Sequence, residues 1–288
     1  MIGSPLFRII ISISLIIILL YAMRGNYEKI ASTLSNIDIR MFALALVLFI
    51  SAIIVASYRL SLIVLAQKEG GITLKEAISL TLLGYFFNNF LPTAIGGDVV
   101  KAYYLSKKTG DNMGSFTSVF VDRLTGLLTM IFMASIALVF IQSSMIESRV
   151  RQILYIITLL ALLAVLFMVN KGFAKKFSGL LVFVRPIEDK LISAYRAVHK
   201  YKDDKLLIAK TLSISIVSQL LFYSSFGAMA ASIGSQLKPL DILLRLPVVG
   251  VMSLLPSLNG LGLREGATVV FFGPLIGKGN AFAVRYFG

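Results

Sequence analysis

Five ionisable side chains stand where this chain has least room for charge: Arg59, Asp98, Lys101, Asp122 and Arg123. Arg123 lies several residues inside a long apolar run, and Arg59 is embedded in another. A charge at the centre of a membrane helix costs about 2.5–3.5 kcal/mol on insertion scales, so it needs a partner or a task. Asp122 and Arg123 are neighbours in sequence, and neighbours on a helix point in different directions. Asp98 or Glu265 is therefore the better partner for Arg123, unless a bound phosphate takes that place. Arg59 is nearer the end of its run, where a long side chain can snorkel to the interface, so both readings stay open. Lys101, Arg123 and Arg264 have the chemistry to hold an anionic phosphate. Asp98 and Glu265 have the chemistry to pair with them, to bind a cationic amine, or to act as a general base.

Two broken segments must position these groups. One reads "NNFLPTAIGGDVVKAYYLSKK", Asn88 to Lys108, and follows an apolar run, Ala77 to Leu91, of only about 15 residues. The other reads "LPSLNGLGLREG", Leu255 to Gly266, and follows Ile242 to Leu255, also too short to cross a bilayer comfortably. Each has Leu-Pro, a small hydroxyl residue, then glycines, then charge. Asn88, Asn89, Pro92, Gly96 and Gly97 belong to the first; Pro256, Gly260, Gly262, Arg264 and Glu265 to the second. Proline removes an amide donor and ends a helix, while glycine lets the backbone turn sharply. Freed backbone groups in lipid survive only where protein or a watery cavity surrounds them. The exposed N–H groups of a broken helix also attract anions. One such motif is an ordinary loop at a membrane edge. Two in corresponding halves are the sequence pointer to a transporter binding site.

The composition fits a membrane. The chain of 288 residues is 57% hydrophobic, with a mean hydropathy of +0.88. Its apolar runs are long and unbroken rather than alternating, which predicts an all-α polytopic bundle of about 6–8 membrane segments and not a β-barrel. Residues 1–288 read as a single integral membrane domain. Further runs lie at Leu6–Met23, Met41–Ala66, Ser115–Ile141, Ile153–Val169 and Leu206–Ile233. The net charge of +14 belongs to loops and lipid head groups. It is densest at Lys171–Lys205, where Ile187 to Tyr201 has the spacing of a basic amphipathic helix on a cytoplasmic surface. No basic stretch forms a nucleic-acid platform. There is no cysteine, and the single His199 has no metal-binding companion, so neither a disulfide nor a metal site is expected.

"NNFLPTAIGGDVVKAYYL", "SVFVDRLTGLL" and "LPSLNGLGLREGA" together resemble the signatures of the lysylphosphatidylglycerol synthase transmembrane-region family, from about Arg59 onward. The resemblance implies the lipid-moving part of that family without its soluble aminoacyl-transfer domain. It also implies a further hydrophobic helix after the second motif, which would be under way and incomplete where the sequence stops at Gly288.

The expected function is movement of an anionic or aminoacylated phospholipid, or a polyprenyl-linked lipid, across the plasma or inner membrane. The alternatives are a membrane-embedded transferase using a lipid-linked donor, and a non-catalytic subunit docking a cytoplasmic partner at the Lys171–Lys205 loop. Homo-oligomerisation is compatible with each. No cofactor, catalytic residue or nucleotide motif is expected. The distribution of Lys and Arg does not decide the topology. It leaves the same excess beside the Lys171–Lys205 loop whether the third run crosses the bilayer or turns back as a re-entrant hairpin. The hairpin version, with its twin entering from the other face, makes an inverted repeat and is the preferred expectation.

Overall fold

In the computed structural model, residues 37–67, 71–90, 96–140, 204–252 and 263–287 are described, with isolated helical positions at 152, 155, 156 and 159. The expected helix at Leu6–Met23, most of that at Ile153–Val169, and the amphipathic helix at Ile187–Tyr201 lie outside them. The described residues form eight helices. They are α1 Ile39–Leu65, α2 Leu74–Phe90, α3 Gly96–Thr109, α4 Asn112–Phe140, α5 Lys205–Ser232, α6 Pro239–Met252, α7 Leu263–Ile276 and α8 Lys278–Phe287. Three of these, α1, α4 and α5, are long and apolar enough to cross a membrane. At 1.5 Å per residue the 27 residues of α1 extend about 40 Å, more than the ~30 Å hydrocarbon layer.

Local chemistry sets the helix ends. The Asp38 carboxylate caps α1 by accepting from the amides of Arg40 and Met41, and Asp204 caps α5 through the amide of Leu207. Thr73 and Glu76 form a reciprocal capping box at the start of α2. Helices α3 and α7 each end at a glycine with positive φ, Gly110 at 76° and Gly277 at 84°, a conformation that side chains resist.

These ends recur. The caps Asp38 and Asp204, the stop glycines Gly110 and Gly277, and the starts of α4 and α8 are each separated by about 166 residues. The Leu91-Pro92 and Leu255-Pro256 pairs share nearly the same offset. Packing repeats as well. Helix α1 packs on α2 and α4 while α5 packs on α6 and α8, and α3 packs on α4 as α7 packs on α8. The chain is therefore an internal duplication, α1–α4 and α5–α8.

Its two halves run in opposite directions. Helices α1 and α5, the equivalent members, meet along their lengths. The Asp38 amide donates to the Ser232 carbonyl at 2.8 Å, the Ser218 hydroxyl to the Ala52 carbonyl at 3.0 Å, and the Arg59 guanidinium to the Ser215 hydroxyl. The partner's number falls as the residue number rises, so the pair is antiparallel. Ala52 and Ser218 are themselves 166 residues apart, which places the pseudo-two-fold axis at their contact. An axis across antiparallel spanning helices lies in the membrane plane, the geometry of an inverted repeat.

The hairpin expectation for the first broken segment agrees with the contacts. Asn88 Oδ1 accepts from the Gly97 amide at the tip, and Lys108 is ion-paired to Glu76 at the base. Helices α2 and α3 thus fold back on each other and return to one face. Apolar packing divides along the same lines. Leu60 and Val64 of α1, Ala77 of α2, Ala102 and Leu105 of α3 and Val119 of α4 form one buried cluster. Phe226, Met229, Leu246, Val248, Phe272 and Val284 anchor the larger cluster, which lies mainly in the second half and also takes in Ala45 of α1 and Ala137 of α4.

Candidate functional site

Helix α3 starts at Gly96 on the tip of the first hairpin, so its first turn carries bare N–H groups and a positive dipole end. Asn88, the last polar residue of α2 with a described side chain, spans the break and accepts from the Gly97 amide at 2.8 Å. Gly97 permits this closeness. A Cβ there would collide with the Gly84 carbonyl and lie 2.7 Å from the Asn88 carboxamide carbon. The two helices touch backbone to backbone, and Asp98 and Lys101 project from the turn that follows.

Five charged side chains and one hydroxyl then form a continuous chain. Arg123 of α4 is ion-paired to Asp98. The Lys101 Nζ lies 3.8 Å from Asp98 and 3.8 Å from Asp122. Asp122 accepts from Arg59 Nε at 2.8 Å, and Arg59 Nη1 donates to Ser215. Arg59, Lys101 and Asp122 are buried, whereas the Arg123 side chain is 34% exposed and forms the open end. Three cations face two carboxylates, so one positive charge is in excess.

The network sits deep. Thr109 and Asn112, at the foot of the hairpin and the start of α4, share one face of the bundle. Asp98 is 11 residues from Thr109 and Asp122 is 10 from Asn112. Those separations are about 16 and 15 Å along the helix axes, which puts the network well inside the bundle. Arg59 starts nearer that face, six residues from the end of α1, and its long side chain reaches inward.

The sequence placed Arg123 with Asp98 or Glu265, and the partner is Asp98. The neighbouring Asp122 turns elsewhere, to Arg59 and Lys101, as their helix geometry requires. The snorkelling alternative for Arg59 is overturned: the side chain is 10% exposed and held between Asp122 and Ser215. Pro92, Pro256, Gly260 and Gly262 lie outside the described residues, as does the basic stretch from Lys171 up to residue 203; its last lysine, Lys205, opens α5. The side chains of Asn89 and Arg264 also fall outside them; Arg264 and the partly buried Glu265 occupy the first turn of α7.

Two residues escape the sequence reading. Ser215 of α5 joins the network from the other half, and a serine in an apolar helix gives no warning of it. Arg245 of α6 is buried, donates to the Phe271 carbonyl of α7 at 2.5 Å, and lies 3.4 Å from Asp241. It carries the same signal as Arg59, a charge inside an apolar run. Among the described residues no group of three or more His, Cys, Asp or Glu could hold a metal ion.

A helical membrane bundle with two inverted hairpins and a largely buried ion network among its helices defines a class of integral membrane protein with an internal polar site. The chain belongs to the lysylphosphatidylglycerol synthase TM region family, whose model matches residues 6–286. That family ties the protein to membrane-lipid function. No curated protein and no solved structure matches the chain.

Proposed function

We propose that the protein is a lipid translocase of the cell membrane, moving a lipid with an anionic head group between leaflets. One observation carries this reading. Inside the bundle, beside the start of a broken helix, an ion network has one cation in excess and an arginine at its open end. Buried networks that only stabilise a fold gain nothing from an uncompensated charge. A site that receives phosphate gains from it, because the anion completes the balance and the α3 amides and dipole add to the attraction. In this reading Asp98 holds Arg123 until the head group takes its place.

The inverted halves supply the movement, one hairpin entering from each face, with the site between them. Helix α5 begins at Lys205 on the face that carries Lys75, Lys107 and Lys108, and the positive-inside rule supports reading this face as the cytoplasmic one. The first hairpin then opens from the cytoplasm.

Purified protein in proteoliposomes tests the proposal, with a fluorescent anionic phospholipid whose outer-leaflet copies are quenched chemically. Wild type should exchange the label between leaflets. Arg123→Gln should slow exchange about tenfold or more, the loss of at least about 1.4 kcal/mol of head-group interaction, while its melting profile in detergent stays near wild type. Exchange at the wild-type rate in Arg123→Gln would refute the role given to the network.

A further inference from the structure

A small cavity opens where α3 turns into α4. It is lined by Gln67 just past α1, Thr109 at the end of α3, and Asp111, Ser115 and Ser118 around the start of α4. None of the five network charges lines it, although Ser118 lies one helical turn before Asp122. We propose that this cavity binds a small monovalent cation, Na+, which ties the foot of the first hairpin to α1. The proposal goes beyond the translocase reading and does not depend on it.

The walls are rich in acceptors. Thr109 has a single hydroxyl proton, and three oxygens lie within its reach. They are the Leu105 carbonyl at 3.2 Å, the Asp111 carbonyl at 3.4 Å and the Ser115 hydroxyl at 2.9 Å. The same hydroxyl accepts from the Asp111 amide at 3.3 Å. Gln67 adds an amide oxygen, Ser118 another hydroxyl and Asp111 a carboxylate. Each such oxygen has at least two lone pairs, so hydrogen bonds to the protein do not exclude a cation. Gln67, Ser115 and Ser118 are buried, and an ion among them exchanges its water for protein oxygen. Asp111 is held in place by α4. Its carbonyl accepts from the Ser115 amide at 3.2 Å, the position of an N-cap, and its carboxylate lies so close to Gly114 that a Cβ there would collide with Oδ2.

Size and charge select the ion. The cavity measures about 10 Å³, room for one water-sized species and not for a hydrated ion. Among the described residues Asp111 is the one carboxylate that lines it, which matches a single positive charge. Oxygen donors suit a hard cation. Mg2+ keeps several of its waters and Ca2+ takes about 6–8 oxygens, so neither suits this space. Na+ fits it more closely than the larger K+. The place gives the ion a consequence. Gly110, with its φ of 76°, stands between Thr109 and Asp111, so the ion brackets the turn that joins the hairpin to α4 and holds it beside Gln67.

The test is thermal unfolding of the full-length protein in detergent, in NaCl, KCl and choline chloride at equal ionic strength. NaCl should raise the melting temperature saturably, by about 2 °C or more over the other two salts. Asp111→Asn removes the charge and keeps a residue that caps helices equally well. Ser118→Ala removes one oxygen from a buried position. Each should raise the half-effective Na+ concentration about tenfold or more, and the pair keeps the proposal testable if one variant does not fold.

Equal melting temperatures in the three salts would overturn the proposal and leave the cavity to a water molecule. A Na+ response unchanged in both variants would overturn it too, by placing the ion elsewhere. Stabilisation by Mg2+ or Ca2+ at concentrations far below those of Na+ would replace the monovalent site with a divalent one. The readout is stability, so its outcome is separate from whether the wild type exchanges lipid between leaflets.

Discussion

The two hairpins of this molecule share a plan and differ in chemistry. Each is a helix, a Leu-Pro and glycine break, and a second helix of 14 residues that stops at a positive-φ glycine. Around the first, five charges are joined in one network, three of them buried. In the second, Arg245 binds a backbone carbonyl and an aspartate one turn away, inside a core built on Phe226, Phe272 and Val284. Duplication therefore conserves backbone architecture, which capping and packing enforce, and leaves the polar interior free to diverge. The first half holds the site; the second supplies Ser215 and an apolar frame for it.

The largest expected effect comes from breaking the charge balance on each side of that comparison. Asp122→Asn removes the carboxylate shared by Arg59 and Lys101 and leaves buried cations unmatched. It should cost about 3–5 kcal/mol in unfolding measured by denaturant titration in mixed micelles. Asp241→Asn in the second half should cost under about 1 kcal/mol. Its pair with Arg245 is partly exposed, and that arginine keeps the Phe271 carbonyl. Equal costs would mean that the network is no more demanding than an ordinary helix pair.

Backbone contact offers a second contrast. Gly97→Ala drives a methyl into the Gly84 carbonyl, which cannot step aside without moving a helix, and should cost about 1–3 kcal/mol or more. Gly250→Ala on α6 meets the Met130 sulfur at 2.6 Å, the far part of a flexible side chain. Its change should stay within about 1 kcal/mol, because the gain in helix propensity offsets the adjustment. The same titration measures both. A third and smaller effect belongs to the link between halves: Ser215→Ala removes one partner of a buried guanidinium and should cost about 1–3 kcal/mol.

The sequence showed the membrane bundle and the twin breaks, and narrowed the side-chain partner of Arg123 to Asp98 or Glu265, because each rests on local rules: run length, proline and glycine punctuation, and the penalty for charge in lipid. The choice between a spanning third run and a hairpin was not legible, since charge counts are identical for both. The Glu76–Lys108 contact that ties the hairpin's feet decides it, through residues 32 apart. Arg59 was ambiguous for a related reason. Its position along α1 allows snorkelling, and only the fold reveals that Asp122 and Ser215, 63 and 156 residues away, surround it. Arg245 was readable by the rule that flagged Arg123, but no motif drew attention to it.

The feet of the two hairpins give the smallest and most specific prediction. The first is tied by Glu76 and Lys108, while beside the second Asn280 of α8 donates to Ser235, ahead of α6, at 3.2 Å. The hydrogen bond from Lys108 holds the Glu76 carboxyl below its usual value of 4.5. A carboxyl with a lowered folded pKa stabilises the fold above its unfolded pKa. That contribution disappears as pH falls through the folded value. The difference in melting temperature between wild type and Glu76→Gln should thus be constant from about pH 7 to about pH 5 and shrink toward zero below about 4.5. The difference between wild type and Asn280→Ala should not follow that course, because neither Asn280 nor Ser235 titrates. A Glu76→Gln difference that stayed flat into acid would show that the ion pair does not hold the hairpin's foot. The α2–α3 packing alone would then hold the hairpin closed.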